Sequence, residues 1–192
     1  MADVTTAVRP SAARERLLRA ASATFYAEGI RGVGVDRVIG EAGVTRATFY
    51  RHFPGKDDLV VAYLEAVDVG VRERVGAAPT TANAAAGFLR GLAGGIGDEL
   101  CRRAFRGCPF INAAAEFPDA THPVHRAVLA HRRWLEDVVR HGFAAAGHPD
   151  PAEATRRFVM LRDGAMVAGY LADPGTARTT LLAAVDDLLA AT

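Results

Sequence analysis

The stretch Gly43-Val44-Thr45-Arg46-Ala47-Thr48-Phe49-Tyr50-Arg51-His52-Phe53-Pro54-Gly55-Lys56 restricts the fold more than any other part of this chain. Gly43 suits a left-handed residue in a tight turn, Thr45 can cap the helix that follows, and Pro54-Gly55 stops that helix after roughly two turns. Turning about 100° per residue from Thr45 brings Phe49 and Phe53 to one side, where the two aromatics anchor the helix to a core. The opposite side carries Ala47, Thr48 and Arg51, flanked by Tyr50 and His52. That face is polar, partly cationic and low in relief, and such a face can enter a major groove.

Apolar spacing elsewhere predicts helices and no strand. A first helix runs from a cap at Ser11 to Glu28, ended by Gly29, with Leu17, Leu18, Ala21, Phe25 and Tyr26 at helical spacing. A short second helix, about 35–42, gathers Val35, Val38, Ile39 and Ala42 on one face and leaves Arg37 exposed. After Lys56 a longer helix begins, with Asp57 and Asp58 in a first turn that favours acids. Its apolar series Leu59, Val60, Tyr63, Leu64 and Val67 offers a mechanical route between two parts of the protein. Ala78-Pro79-Thr80-Thr81 marks a boundary.

Residues 82–100 predict one helix, frayed or bent at Gly94-Gly95, and a small helix follows between Gly107 and Pro118. Pro123 opens another, whose stripe is Val124, Val128, Leu135, Val138 and Gly142 with His131 in its middle. Asp150-Pro151-Ala152-Glu153 combines a cap, a first-turn proline and an acid at the third helical position, and Asp173-Pro174 starts the last helix. The expectation is an all-α chain of about nine helices, without internal repeats. Residues 1–10 are expected to form a flexible arm, 11–56 a helix-turn-helix domain, and 57–192 a second helical domain.

Composition narrows the classes. Of 192 residues half are hydrophobic, enough for a sizeable core. No run of apolar residues is long enough to span a bilayer or to act as a secretory signal, so no membrane partner and a cytoplasmic location are expected. Two cysteines, Cys101 and Cys108, are too few for a disulfide framework and fit a reducing compartment. The net charge of +1 divides unevenly: residues 1–56 hold nine Lys and Arg against five Asp and Glu, a net +4, and the remainder 14 against 17, a net −3. The basic excess sits with the short aromatic-anchored helix, as attraction to phosphate requires.

Residues 11–60 resemble the DNA-binding domain of the TetR family of transcriptional regulators. The resemblance rests on Ala42-Gly43-Val44-Thr45, then Thr48-Phe49-Tyr50, His52-Phe53, and Lys56 with Leu59 behind it. It covers about a quarter of the chain. One departure is Gly34, where the family usually has a Thr or Ser that caps a helix and touches a phosphate. The resemblance implies a helix-turn-helix reader joined to a helical effector-binding and dimerisation domain, and a protein that is no enzyme; no nucleophile beside a base and no carboxylate pair in a cleft is suggested either.

The expected DNA contacts follow from side-chain chemistry. Lys56, Tyr50 and His52 suit phosphates, as does Thr45 at the helix start and Arg37 on the preceding helix. Arg46, Ala47, Thr48 and Arg51 suit base edges, arginine on guanine and the methyl groups on thymine. Arg46 falls on the wheel nearer the Phe side and reaches bases only because it lies in the first turn. Two copies of a short reading helix address half-sites about one turn apart, so a palindromic double-stranded operator is the expected partner.

Gly164, Ala165, Ala168, Gly169 and Ala172 share one helix face and admit another backbone; with Leu181, Val185 and Leu188 on the last helix they are the expected homodimer interface, the alternative being internal packing. The family resemblance implies a small organic effector among the middle helices. Candidate lining residues are Phe88, Cys108, Phe110, Phe117, His131 and Trp134, with Asn112 and Glu116 as polar anchors; each also reads as ordinary core or as a satisfied helix end. No cofactor is expected. A zinc site from Cys101, Cys108, His122 and His125 lacks paired close spacing. The alternatives left open are a redox regulator switching through Cys101 and Cys108, and an architectural DNA-binding protein without an effector.

Overall fold

A computed structural model describes residues 11–191, which hold nine helices and no strand. The arm expected over residues 1–10 lies outside the described residues. The chain divides into two units between Ala66 and Val67, inside the fourth helix.

The first unit contains α1 (Ala12–Glu28), α2 (Val35–Ala42), α3 (Arg46–His52) and the first half of α4 (Lys56–Val75). Ser11 caps α1 by accepting from the Arg14 amide, and the Gly29 amide closes it on the Phe25 carbonyl. Leu17, Ala21 and Phe25 of α1, Val38 of α2, Phe49 of α3, and Leu59, Val60 and Tyr63 of α4 form its core. The Phe25 and Tyr63 rings meet edge to face, centroids 5.9 Å apart. The early residues of α4 are thus core of the first unit, which is why the division falls beyond Lys56.

The second unit holds the rest of α4 with α5 (Ala82–Leu100), α6 (Pro109–Glu116), α7 (Pro123–Ala146), α8 (Pro151–Leu171) and α9 (Pro174–Ala190). Helices α6 to α9 each open on a proline, whose missing N–H is no loss at that position. Asp150 and Asp173 cap α8 and α9 by accepting from the Glu153 and Thr176 amides. Helix α5 packs on α7, α8 and α9, and α8 packs on α7 and α9.

Two local expectations are corrected. Helix α5 passes through Gly94-Gly95 without interruption, because packing on three neighbours outweighs the local cost of two glycines. The buried stripe of α7 continues through Val139 rather than Val138, since its period drifts from Leu135 by four residues and not three. Close approach explains Gly142 on that stripe: a Cβ there would lie 2.9 Å from Leu89 on α5.

Candidate nucleic-acid interface

Gly43 adopts the left-handed conformation, φ 59° and ψ 45°, and the Val44 amide returns to the Ile39 carbonyl, so α2 ends and the chain turns at once into α3. The Thr45 hydroxyl accepts from the Thr48 amide at 3.1 Å and starts α3. Phe49 is fully buried and Phe53 nearly so, their rings 6.0 Å apart. Arg14 of α1 lies with its guanidinium 5.3 Å from the Phe53 ring. A seven-residue helix with one core aromatic of its own and a second at its C-cap can face outward in only one orientation.

Arg46, Ala47, Tyr50 and Arg51 are exposed on that outward side, and Thr48 is half-buried through its contact with Thr45. The Phe49 and Tyr50 rings meet edge to face, centroids 5.1 Å apart, while Tyr50 stays half exposed. His52 Nε2 and the Ser11 hydroxyl are 3.0 Å apart, tying the end of α3 to the start of α1. The Lys56 ammonium donates to the Arg31 carbonyl at 3.4 Å, a long contact that a phosphate can replace.

The cations differ in their partners. Arg37 pairs with Glu41 at 2.7 Å and Glu28 at 3.4 Å. Arg46 donates from Nη2 to both carboxylate oxygens of Asp36, at 2.8 and 2.9 Å. Arg51 makes no hydrogen bond or ion pair with any described residue. Asp36 escaped sequence reasoning because an acid in the first turn of a helix has a sufficient local explanation in the dipole. Gly34 caps α2 without any side-chain bond.

In the second unit several candidate pocket residues come together. His131, buried on α7, donates from Nδ1 to Asp68 of α4 at 2.6 Å and stacks flat on Phe110, ring centroids 3.6 Å apart. Trp134 lies next to it, with the Arg72 guanidinium 4.7 Å from its ring, and Arg72 donates to Asp68. Burial pushes the His131 imidazole below its ordinary value; Asp68 opposes that shift, while Arg162 and Arg72 reinforce it. Cys108 is buried before α6, its sulfur 3.0 Å from Nη2 of the buried Arg162; Arg162 also pairs with Asp163, which accepts from Arg132.

The other candidates lie apart from this cluster or have local duties. Asn112 donates to the Arg106 carbonyl at 2.9 Å, and the Phe117 carbonyl meets His125 Nδ1 at 2.6 Å. Glu116 and Phe88 are half-buried. Cys101 is exposed and Cys108 buried, both as free thiols. No group of three or more His, Cys, Asp or Glu among the described residues is arranged to hold a metal, and no helix there is long and apolar enough to cross a membrane.

The expected dimer face divides by burial. Gly164 and Ala172 are exposed, Ala168 and Gly169 half-buried, and Ala165, Leu181, Val185 and Leu188 buried. A Cβ on Gly169 would meet Leu100 at 3.1 Å, so this glycine serves contact within the chain. Between α8 and α9 an open groove of about 740 Å³ is lined by Leu161, Gly164, Ala168, Thr176 and Leu188, with Met160 at its rim 73% exposed.

Comparison with known proteins agrees with this geometry. Residues 17–63 match the model of the family described as bacterial regulatory proteins, tetR family. The crystal structure of SCO4454, a TetR-family transcriptional regulator from Streptomyces coelicolor, is 53% identical, with a TM-score of 0.88 over 93% of this chain and 95% of that one. A putative TetR transcriptional regulator from Streptomyces avermitilis is 27% identical, with a TM-score of 0.78 over 91% and 98%. The HTH-type transcriptional regulator LmrA of Bacillus subtilis is 28% identical across 63% of this chain. The chain spans 66% of LmrA, and 28% of the Pseudomonas putida regulator SrpR, less than two thirds of either.

Proposed function

Because the chain belongs to the TetR family of bacterial transcriptional regulators, we propose that it is a homodimeric repressor that reads a palindromic operator with α3 and leaves it on binding a small organic effector. The observation that carries this reading is the division of α3 and its C-cap, with Phe49 and Phe53 buried and the exposed Arg51 without a partner among the described residues. An arginine held ready without an ion pair to break is suited to two-point contact with guanine. Ala47 and Thr48 offer methyl groups to thymine, Arg46 reaches a base from the first turn, and Thr45, Tyr50, His52, Lys56 and Arg37 hold phosphates. Residues 11–56 serve as the reader, and 57–192 as the effector-binding and dimerisation part.

The groove between α8 and α9 supports the dimer, because Met160 is about three-quarters exposed there, as is Leu171 at the end of α8, and apolar surface of this kind is covered by a second copy. The aromatic group of Phe110, His131 and Trp134 supports a mainly apolar effector, and Cys108, Phe88 and Phe117, with the polar Asn112 and Glu116, are the further contacts proposed for it. A cysteine-based response is the second reading, favoured by the Arg162 guanidinium against the Cys108 sulfur. Replacing Cys101 and Cys108 with Ser would then leave DNA binding intact and abolish the response.

Mobility shift at fixed salt, on DNA from upstream of its own gene and on an unrelated fragment, tests the reader. The wild type is expected to shift its own upstream DNA as a dimer, and Arg51→Ala to lose that preference. Equal, salt-sensitive binding to every fragment would replace this reading with the architectural one.

A further inference from the structure

The Asp36 carboxylate lies beside the first turn of α3, on the side that carries the exposed Arg46. A negative charge on a surface that meets DNA is repelled by phosphate, and it is tolerated there where it meets cations or base amino groups. Here one guanidinium nitrogen of Arg46 bridges both carboxylate oxygens, and its Nη1 and Nε have no partner among the described residues. A guanidinium has five N–H donors and a carboxylate about four acceptor sites, so the pair leaves donors and acceptors unused on both sides. Arg51, one helical turn and more along, has no such companion among the described residues.

From this, and resting on the DNA-reading proposal above, we infer that Asp36 and Arg46 act as one specificity-determining unit: Asp36 orients Arg46 onto a guanine and accepts a hydrogen bond from the amino group of a neighbouring cytosine. In water the pair is worth little, because its side chains are 76% and 63% exposed. Once the groove excludes water, the same contact strengthens, and the carboxylate discriminates where an amine faces it and repels where a base presents only acceptors. Asp36 thereby adds selectivity while lowering affinity for DNA in general.

The test is selection of bound sequences from a randomised duplex library by the full-length wild type, Asp36→Ala, Arg46→Ala and the double variant. The expected result is that Asp36→Ala relaxes the preference at one guanine and its neighbour in each half-site by roughly ten-fold, leaving the other positions as selective as before. Arg46→Ala is expected to relax the same positions, and the double variant to lose no more than either single one. Both exposed substitutions should melt within a few degrees of the wild type. An unchanged consensus in Asp36→Ala, with only tighter binding to all DNA, would overturn the unit and leave the reader standing. A wild type that enriches no sequence at all would overturn the DNA-reading proposal and this inference with it.

Discussion

In the reader the ion pairs lie on the surface, with both side chains of Arg46–Asp36 and of Arg37–Glu41 close to half exposed or more. The second unit has surface pairs as well, but adds an interior set in which His131 and Arg162 are at most a tenth exposed, with Asp68 and Asp163 beside them. Exposed pairs are cheap to break and re-form on another molecule, whereas a buried charge must keep its partner. The reader thus carries its charges for use outside the chain, and the second unit carries a set that fixes positions within it.

Asp163→Ala probes this contrast most severely. It strands the buried Arg162 and removes the carboxylate that Arg132 shares, and should cost about 3 kcal/mol in chemical denaturation. A loss no greater than that of a surface pair would erase the distinction between the units. Asp68→Ala, which leaves His131 Nδ1 buried without its acceptor, should cost roughly 1 to 3 kcal/mol.

The pH dependence sharpens the point further. Burial holds the His131 pKa below the ordinary 6.5, so the unfolded chain takes up the proton first as the pH falls. Its contribution to stability is therefore lost as pH falls below about 6.5 and levels off once the folded imidazole is protonated as well. Denaturation midpoints across that window should slope less steeply in His131→Asn than in the wild type. An equal slope would assign the acid sensitivity to other groups. The smallest effect belongs to the reader: Arg37→Ala should change stability by no more than about 0.5 kcal/mol while weakening binding to matched and unrelated DNA by the same factor.

The same contrast decides what was legible in the sequence. Helix ends are governed by residues within a few positions of one another, so Ser11, Gly43, Thr45 and the Asp150-Pro151 and Asp173-Pro174 starts stand where local chemistry puts them. The outward face of α3 was legible because Phe49 and Phe53 leave it no alternative. Asp68 and His131 are 63 positions apart and Cys108 and Arg162 54, and no local pattern announces either pairing. Gly94-Gly95 misled for the same reason: the helix there is held by α7, α8 and α9, which the local sequence does not contain. Small residues on α8 were ambiguous because Gly169 admits Leu100 from within while Gly164 faces out.

The separation of anchor and reading residues on α3 also bears on how such a protein changes over generations. Phe49 and Phe53 hold the helix, and the exposed Arg46, Ala47 and Arg51 lie outside that core. Substitutions at the outer positions are nearly free of folding cost, so the target sequence can drift, or be rewritten as a cassette by an engineer, while the scaffold beneath it stays the same.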